Sequence, residues 1–286
     1  MSDIIYQIIN TNLTGQGDYP LSKGIFVTPH QPRGTQMTRI IDLSLPVTTK
    51  GELRFMPEIQ TFDHKTYADL RKGALGLDQE GDLPEWGFCA IEKVSMTTHV
   101  GTHLDAPWHF APHSKGKPAK TIDQVPLNWC YADGCVLDFH HFDRTRPILV
   151  ADLKKALAKI EYKLKPKDIV LIRTDASKYY PQKGYENQGA GLTADSTRWL
   201  IEQGIKITGI DSWTWDQPFD VMLKRSRPKR FLEAHWVGAE LEYCHLESLT
   251  NLDAIPRPFG FKVAAFPIKI EGASGGWVRA VAIIEE

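Results

Sequence analysis

The sequence predicts a mixed α/β layer fold built around a β-sheet. Strand-like segments outnumber helical ones, and the helical ones fall between strands in the middle third of the chain. Composition sets the bounds: 286 residues, 42% hydrophobic and 24% charged, give an ordinary globular balance and enough chain for a substantial core. That balance excludes disordered and fibrous classes. Lysine plus arginine number 34 against 35 acidic residues, a net charge of −1. Such a surface has no electrostatic pull toward nucleic acid or an anionic membrane.

The elements follow in chain order. Residues 1–37 carry Gly15, Gly17, Pro20, Pro29 and Pro32 among polar residues and read as an extended N-terminal arm, suited to drape over a partner subunit. Residues 38–286 read as one domain, with no internal repeat and no convincing linker. Met1 to Gln16 lacks a basic start followed by an apolar run, so no signal peptide is expected. No stretch approaches the roughly 20 apolar residues of a membrane helix. Arg39–Ser44 is the first strand, stopped by Pro46. Residues 50–87 mix charge, glycine and proline without a period and read as a long surface excursion of the kind that forms lids. Cys89–Met96, Cys135–Phe139, Asp168–Arg173 and Ile205–Ile210 read as strands, and Phe261–Ile270 and Trp277–Ile284 as two closing strands. Leu153, Ala156, Leu157 and Ile160 share one face of a helix over Leu149–Ile160. A second helix starts at Ala194, with Thr193 as N-cap, and stops at Gly204. Cys89, Cys130, Cys135 and Cys244 form no CxxC pair and read as reduced thiols of a cytoplasmic protein.

Chemistry concentrates in residues 99–109, HVGTHLDAPWH, where His99, His103, Asp105 and His109 fall at odd positions. Imidazole with carboxylate suits zinc, manganese or iron(II) rather than calcium. A regular helix is disfavoured by Gly101 and Pro107. A straight strand would hold His99 and His103 roughly 13 Å apart, too far for one ion whose bonds are about 2 Å long. The chain must therefore bend, and Gly101 permits it, while Pro107 fixes the backbone after Asp105. The segment 235–252 adds His235, His245, Glu240, Glu242 and Glu247. Taken alone, its alternation of acidic and apolar residues reads as the wet face of a strand.

HVGTHLDAPWH matches HxGTHxDxPxH, and the chain here resembles the putative cyclase family, which includes bacterial kynurenine formamidase and isatin hydrolase. The resemblance runs from about residue 38 onward: Ile41–Pro46, Thr121–Leu127, Val136–Asp138, Ile172–Thr174, Gly209–Asp211, Glu247–Leu252 and Val278–Val281 match family segments in order. It implies a mixed twisted β-sheet sandwich flanked by helices, of the swivelling β/α/β type, in a homo-oligomer. It also implies a divalent metal, zinc or manganese, as one or two ions. His99, His103 and Asp105 would hold the first, and Asp105, His235 and Glu247 the second. His109 would be the acid/base residue. The implied activity is hydrolysis of a cyclic or acyl amide or ester by metal-activated water. A manganese-dependent lactone hydrolase, a true ring-closing cyclase and a non-catalytic metal-binding protein of the same fold are the alternatives.

The arm, the excursion over residues 50–87 and the segment Ser212–Pro218 depart from compact formamidases. Trp86, Trp213 and Trp215 are candidates for an apolar box around an aromatic or conjugated small-molecule substrate, Trp86 foremost. Trp108 reads as ordinary core packing, and Lys224–Arg230 as a solvated basic loop.

Overall fold

The computed structural model describes residues 37–224 and 231–285. Residues 1–36 of the expected arm, and the basic loop apart from Lys224, lie outside the described residues.

The first strand, β1, is Thr38–Asp42. The excursion after it holds more order than its composition announces, strand β2 (Glu58–Phe62) and helix α1 (His64–Leu75), and the strand expected over Cys89–Met96 follows as β3 (Ile91–Ser95). Asp63 caps α1 by accepting from the Thr66 amide at 2.8 Å, and Gly76 ends it at φ +68°. β2 and β3 pair only with each other, and every residue of β3 is exposed.

The metal-motif segment then turns at Gly101, φ +73°, enters strand β4 (His103–Asp105), and passes through one helical turn, α2 (Pro107–Phe110). The bend expected at Gly101 is present. Pro107 does not extend the chain, however; it starts a helical turn, a position where its missing N–H costs nothing. Strands β5 (His113–Ser114) and β6 (Lys117–Pro118) make a small ribbon before the central strand β7 (Tyr131–Asp138).

Helix α3 (Val150–Lys159) joins β7 to β8 (Ile169–Arg173), and α4 (Ala194–Glu202) joins β8 to β9 (Ile207–Ile210). Both helices match the sequence pattern, with Leu153 and Leu157 buried and Thr193 accepting from the Ser196 amide. Short helices α5 (Phe219–Leu223) and α6 (Val237–Glu240) precede strands β10 (Cys244–Glu247), β11 (Phe259–Ala264), β12 (Gly275–Trp277) and β13 (Val281–Glu285).

Nine of these strands form one sheet in the order β1-β13-β11-β7-β8-β9-β10-β4-β12. β7 through β10 are parallel, and the flanking pairs are antiparallel. The parallel strands are apolar on both faces. Ile169 and Leu171 enter one core cluster, Val170 and Ile172 the other, where they meet the buried faces of α3 and α4. The first cluster draws residues from β1 (Ile41) through β4 (Leu104), so the sheet curls around it. The curl brings the two edges together. The stretch expected as a single strand, Trp277–Ile284, is in fact two, with β12 on one edge and β13 near the other. The Val278 amide donates to Thr102 O in the crossing between them. Among the described residues, no helix is long and apolar enough to cross a membrane.

Candidate metal centre

β4 and β10 are antiparallel neighbours, with His103 opposite Glu247, Leu104 opposite Leu246, and Asp105 opposite His245. Side chains alternate along a strand, so His103, Asp105, His245 and Glu247 share one face. Leu104 and Leu246 turn to the other, into the core. All four polar residues are buried: His103 1%, Asp105 0%, His245 0% and Glu247 6% exposed. The acid–apolar alternation after residue 235 is therefore only partly a wet face. Glu240 and Glu242 pair outward with Arg198 and Lys120, while Glu247 points inward.

Three more imidazoles converge on this patch. His99 arrives from the turn before β4, its Nδ1 2.6 Å from Asp105 Oδ1 and its Nε2 2.8 Å from Ser274 Oγ. Gly275 makes room for that ring, since a Cβ there would stand 2.8 Å from His99 Cε1. His109 reaches in from α2, with Nε2 3.8 Å from Asp105 Oδ2 and its ring 3.9 Å from that of His99. His235 Nε2 lies 3.7 Å from Asp105 Oδ2 and 3.5 Å from Glu247 Oε1. Its Nδ1 lies 2.6 Å from Asp216 Oδ2, a carboxylate that also accepts from the amides of Ala234 and His235. This support fixes which ring nitrogen faces the centre. Glu247 is oriented by the Trp215 amide, which donates to Oε1 at 2.8 Å.

Orphaned atoms show what the arrangement calls for. His103 Nδ1 donates to Gly101 O at 2.8 Å, which leaves Nε2 with its lone pair aimed at Asp105 Oδ1 (3.2 Å) and Glu247 Oε2 (3.6 Å). That buried nitrogen has no hydrogen-bond partner. An unprotonated nitrogen facing two carboxylates in a dry site is repulsive, so the arrangement calls for positive charge there, a proton or a metal ion. Ligand atoms of Asp105, His235, His245 and Glu247 fall within 4.8 Å of one another, as do those of His99, Asp105 and His109. The two sets share Asp105, and the donor chemistry suits a borderline transition metal.

Electrostatics agree with a cation-seeking site. Burial pushes the Asp105 carboxyl up, but the facing imidazoles of His109, His103 and His99 outweigh it and hold it well below the usual range. Burial opposes charge on His103, yet Asp105 and Glu247 raise it. Burial likewise opposes charge on His245, and its bonds to Asp105 and Glu247 carry it up to about 9. His109 goes the other way. Burial, aided by His99 and His235 and opposed by Asp105, lowers it to about 4.

All five expected ligand positions, His99, His103, Asp105, His235 and Glu247, thus come together with His109. His245 joins them, its Nε2 2.9 Å from Asp105 Oδ2. Its parity with Glu247 on one strand is the sequence signal for this place.

The tryptophans divide. Trp213 lines a cleft beside His99 with Leu53, Arg54 and Phe55. Trp215 does not line a pocket: it is 0% exposed, packs behind His245, and donates its indole N–H to Thr197. Trp86 is 60% exposed, edge-on to His64, and is not part of the cleft wall. Trp108, expected in the core, is 46% exposed because α2 turns its ring outward while Phe110 turns in.

The putative cyclase family model matches residues 41–217. The chain is 26% identical over 207 residues to a kynurenine formamidase of Erythrobacter litoralis, covering 72% of this chain and 82% of that one. It is 29% identical over 194 residues to a kynurenine formamidase of Paracidovorax citrulli, covering 67% and 78%. Its fold is similar to isatin hydrolase A from Ralstonia solanacearum, with a TM-score of 0.67, 23% identity, and coverage of 87% and 92%. With a matched family model spanning more than half its length and carrying the HVGTHLDAPWH segment, the chain belongs to the putative cyclase family.

Proposed function

We propose that the protein is a metal-dependent hydrolase that opens a cyclic or acyl amide or ester, with one or two zinc or manganese ions. The observation that carries this reading is the buried Asp105 carboxylate facing five imidazoles, with Glu247 and the orphaned His103 Nε2 beside it. His99, His103 and Asp105 are the ligands of one position. Asp105, His235 and Glu247 are those of a second, with His245 at its edge. A divalent ion held there supplies Lewis acidity toward water and toward a substrate carbonyl.

His109 is the proton carrier. It stands half-buried at the wall of the centre, and its pKa of about 4 keeps it neutral near pH 7. Its Nε2 accepts the proton as water adds to the carbonyl carbon, then returns it to the leaving nitrogen or oxygen. A carbon–oxygen bond forms and the carbon–nitrogen or carbon–oxygen bond breaks. The proton starts and ends on substrate atoms, so His109 is regenerated. Phe55 and Trp213, stacked with ring centroids 6.3 Å apart in the wall beside His99, favour a flat aromatic or conjugated ring.

The formamidase and isatin hydrolase likenesses support amide opening as the reaction. Free cysteines support a reducing, cytoplasmic setting. The fully exposed β3, with Ile91 and Val94 at 43% and 45%, supports a homo-oligomer. The test is turnover of N-formylkynurenine, aromatic lactams and lactones by zinc- and manganese-loaded protein. Ring opening of lactams or lactones in preference to N-formylkynurenine is expected. Absence of turnover on all three with metal bound overturns the hydrolase reading.

A further inference from the structure

His245 sits where a fourth donor would complete the second set of ligands. It lies on β10 opposite Asp105, two residues before Glu247. Its Nε2 is 2.9 Å from Asp105 Oδ2 and 3.3 Å from Glu247 Oε1. His235 Nε2 faces the same two oxygens, 3.7 Å from Asp105 Oδ2 and 3.5 Å from Glu247 Oε1. Two imidazole nitrogens and two carboxylate oxygens thus alternate around a ring. Donors bound at about 2.0–2.1 Å around a tetrahedral ion stand roughly 3.3 Å apart, and the four edges of this ring bracket that spacing. One donor atom from each of the four residues lies within 4.8 Å of all the others. Exposure separates the ring from the rest of the centre. The Asp105, His235 and His245 side chains are 0%, 6% and 0% exposed, against 24% for His99 and 30% for His109. A dry set of four protein donors leaves no place for water, whereas a set of three at the solvent side keeps one.

The far side of the His245 ring supplies a second observation. Its Nδ1 is buried without a hydrogen-bond partner, and so is Thr208 Oγ1. Thr208 is the register partner of His245 on the adjacent parallel strand β9, so the two side chains share a face of the sheet. A neutral ring that gives its Nε2 lone pair to a metal carries its proton on Nδ1. Thr208 offers that N–H an acceptor, in the way Asp216 supports His235 from behind.

We propose that His245 is a fourth protein ligand of the second metal position, that Thr208 orients it, and that this position is the closed, tightly holding one of the two. The inference rests on the metal-dependent reading above. The position of His99, His103 and Asp105 is then the open one, where water and substrate have room. The two positions differ in task because one strand residue, His245, fills the place that a water takes at the other.

The experiment titrates metal-stripped protein with cobalt(II), whose visible absorption is intense in a four-coordinate tetrahedral site and weak at higher coordination. The first equivalent should give the intense spectrum and resist a competing chelator. His245→Gln should lose that spectrum and weaken the first step by more than about 100-fold, beyond the cost of a lost outer support. Thr208→Val, close in shape, should keep the spectrum and weaken the step by about 10-fold, and Thr208→Ser should restore most of the affinity. Far-UV circular dichroism checks the fold of each variant. Should His245→Gln not fold, the wild-type spectrum and the two Thr208 variants decide. A weak spectrum for the first equivalent in the wild type overturns the inference, as do a spectrum and affinity unchanged in His245→Gln. Equal affinities in wild type and Thr208→Val remove Thr208 from it. His245-dependent binding without turnover of any amide or ester counts against the hydrolase reading alone. Turnover by His245→Gln with its cobalt step unchanged counts against the fourth ligand alone.

Discussion

Asp105 is 0% exposed and stands within 4 Å of five imidazoles, at 2.6 Å (His99), 2.9 Å (His245), 3.2 Å (His103), 3.7 Å (His235) and 3.8 Å (His109). A carboxylate so deprived of water needs compensating charge, or it costs several kcal/mol. His103→Ala and Asp105→Ala should therefore purify with most of their metal gone and nearly all activity lost. Elemental analysis after dialysis reads this directly, and full metal occupancy in both variants would remove them from the ligand set. His109 differs in its low pKa and its place on a helical turn rather than on β4. His109→Ala should keep its metal and lose about 10²–10⁴ in kcat, the range of general acid–base catalysis. If its metal leaves as readily as from His103→Ala, His109 is a ligand, as its grouping with His99 and Asp105 allows. The motif was legible because its imidazoles and carboxylate crowd into residues 99–109. Asp216 and Ser274 were not. Each acts by holding a histidine ring 19 or 175 positions away, and resembles any other polar loop residue in sequence.

Among elements, the β4–β10 pair does the positioning. Register puts two donors of each strand on one face, and a slip of one residue by either strand would turn its two donors into the apolar layer. His235 lies outside this pair, before α6, and depends instead on Asp216. Asp216→Asn keeps the shape but replaces a carboxylate oxygen with an amide group, weakening the hold on His235 Nδ1. Metal affinity should fall about 10–100-fold with far-UV circular dichroism unchanged, as for other lost partners of metal-bound histidines. Chelator competition on wild type and variant measures it, and equal affinities would show that His235 is oriented by packing alone. At this scale the sequence signals its elements unevenly. α3 and α4 were clear because apolar residues recur on one face and a cap marks the start of α4. α1 was missed, although Asp63 and Gly76 mark its ends, because only Ala68 of its residues is buried and no apolar stripe announces it. β12 and β13 merged into one expected strand because residues 277–284 are apolar except for Arg279 and carry no turn residue. Only the curl of the sheet separates them.

For the molecule as a whole, the fold class was legible in the alternation of helices and strands through the middle third, where both sheet faces need helical or sheet cover. The near-closure of the sheet was not, because it depends on contacts such as Leu45 with Thr102 and Ser44 with Leu249, far apart in sequence. That closure carries Thr102 and the start of the metal motif on the seam, where β1 and β12 approach. Metal binding should consequently report on global stability. A ligand present at 100 times its Kd adds about 2.7 kcal/mol, which at this chain length corresponds to roughly 4–5 °C in Tm. The gain should also depend on pH. In the metal-free protein His245 is raised to about 9, so its protonated ring stabilises the fold fully below the unfolded value of 6.5 and ceases to as pH rises through 9. Metal binding displaces protons from the same donors. The metal-free Tm should therefore fall between pH 6.5 and 9, while the shift on adding zinc or manganese at a fixed free metal concentration widens, because the apparent Kd falls as the competing proton leaves. Differential scanning calorimetry with and without metal at both ends of that window checks the sign. A metal-induced shift that is constant or shrinks with rising pH would mean that His245 carries no proton that the metal must replace, and that Asp105 and Glu247 are neutralised in the metal-free protein by some other route.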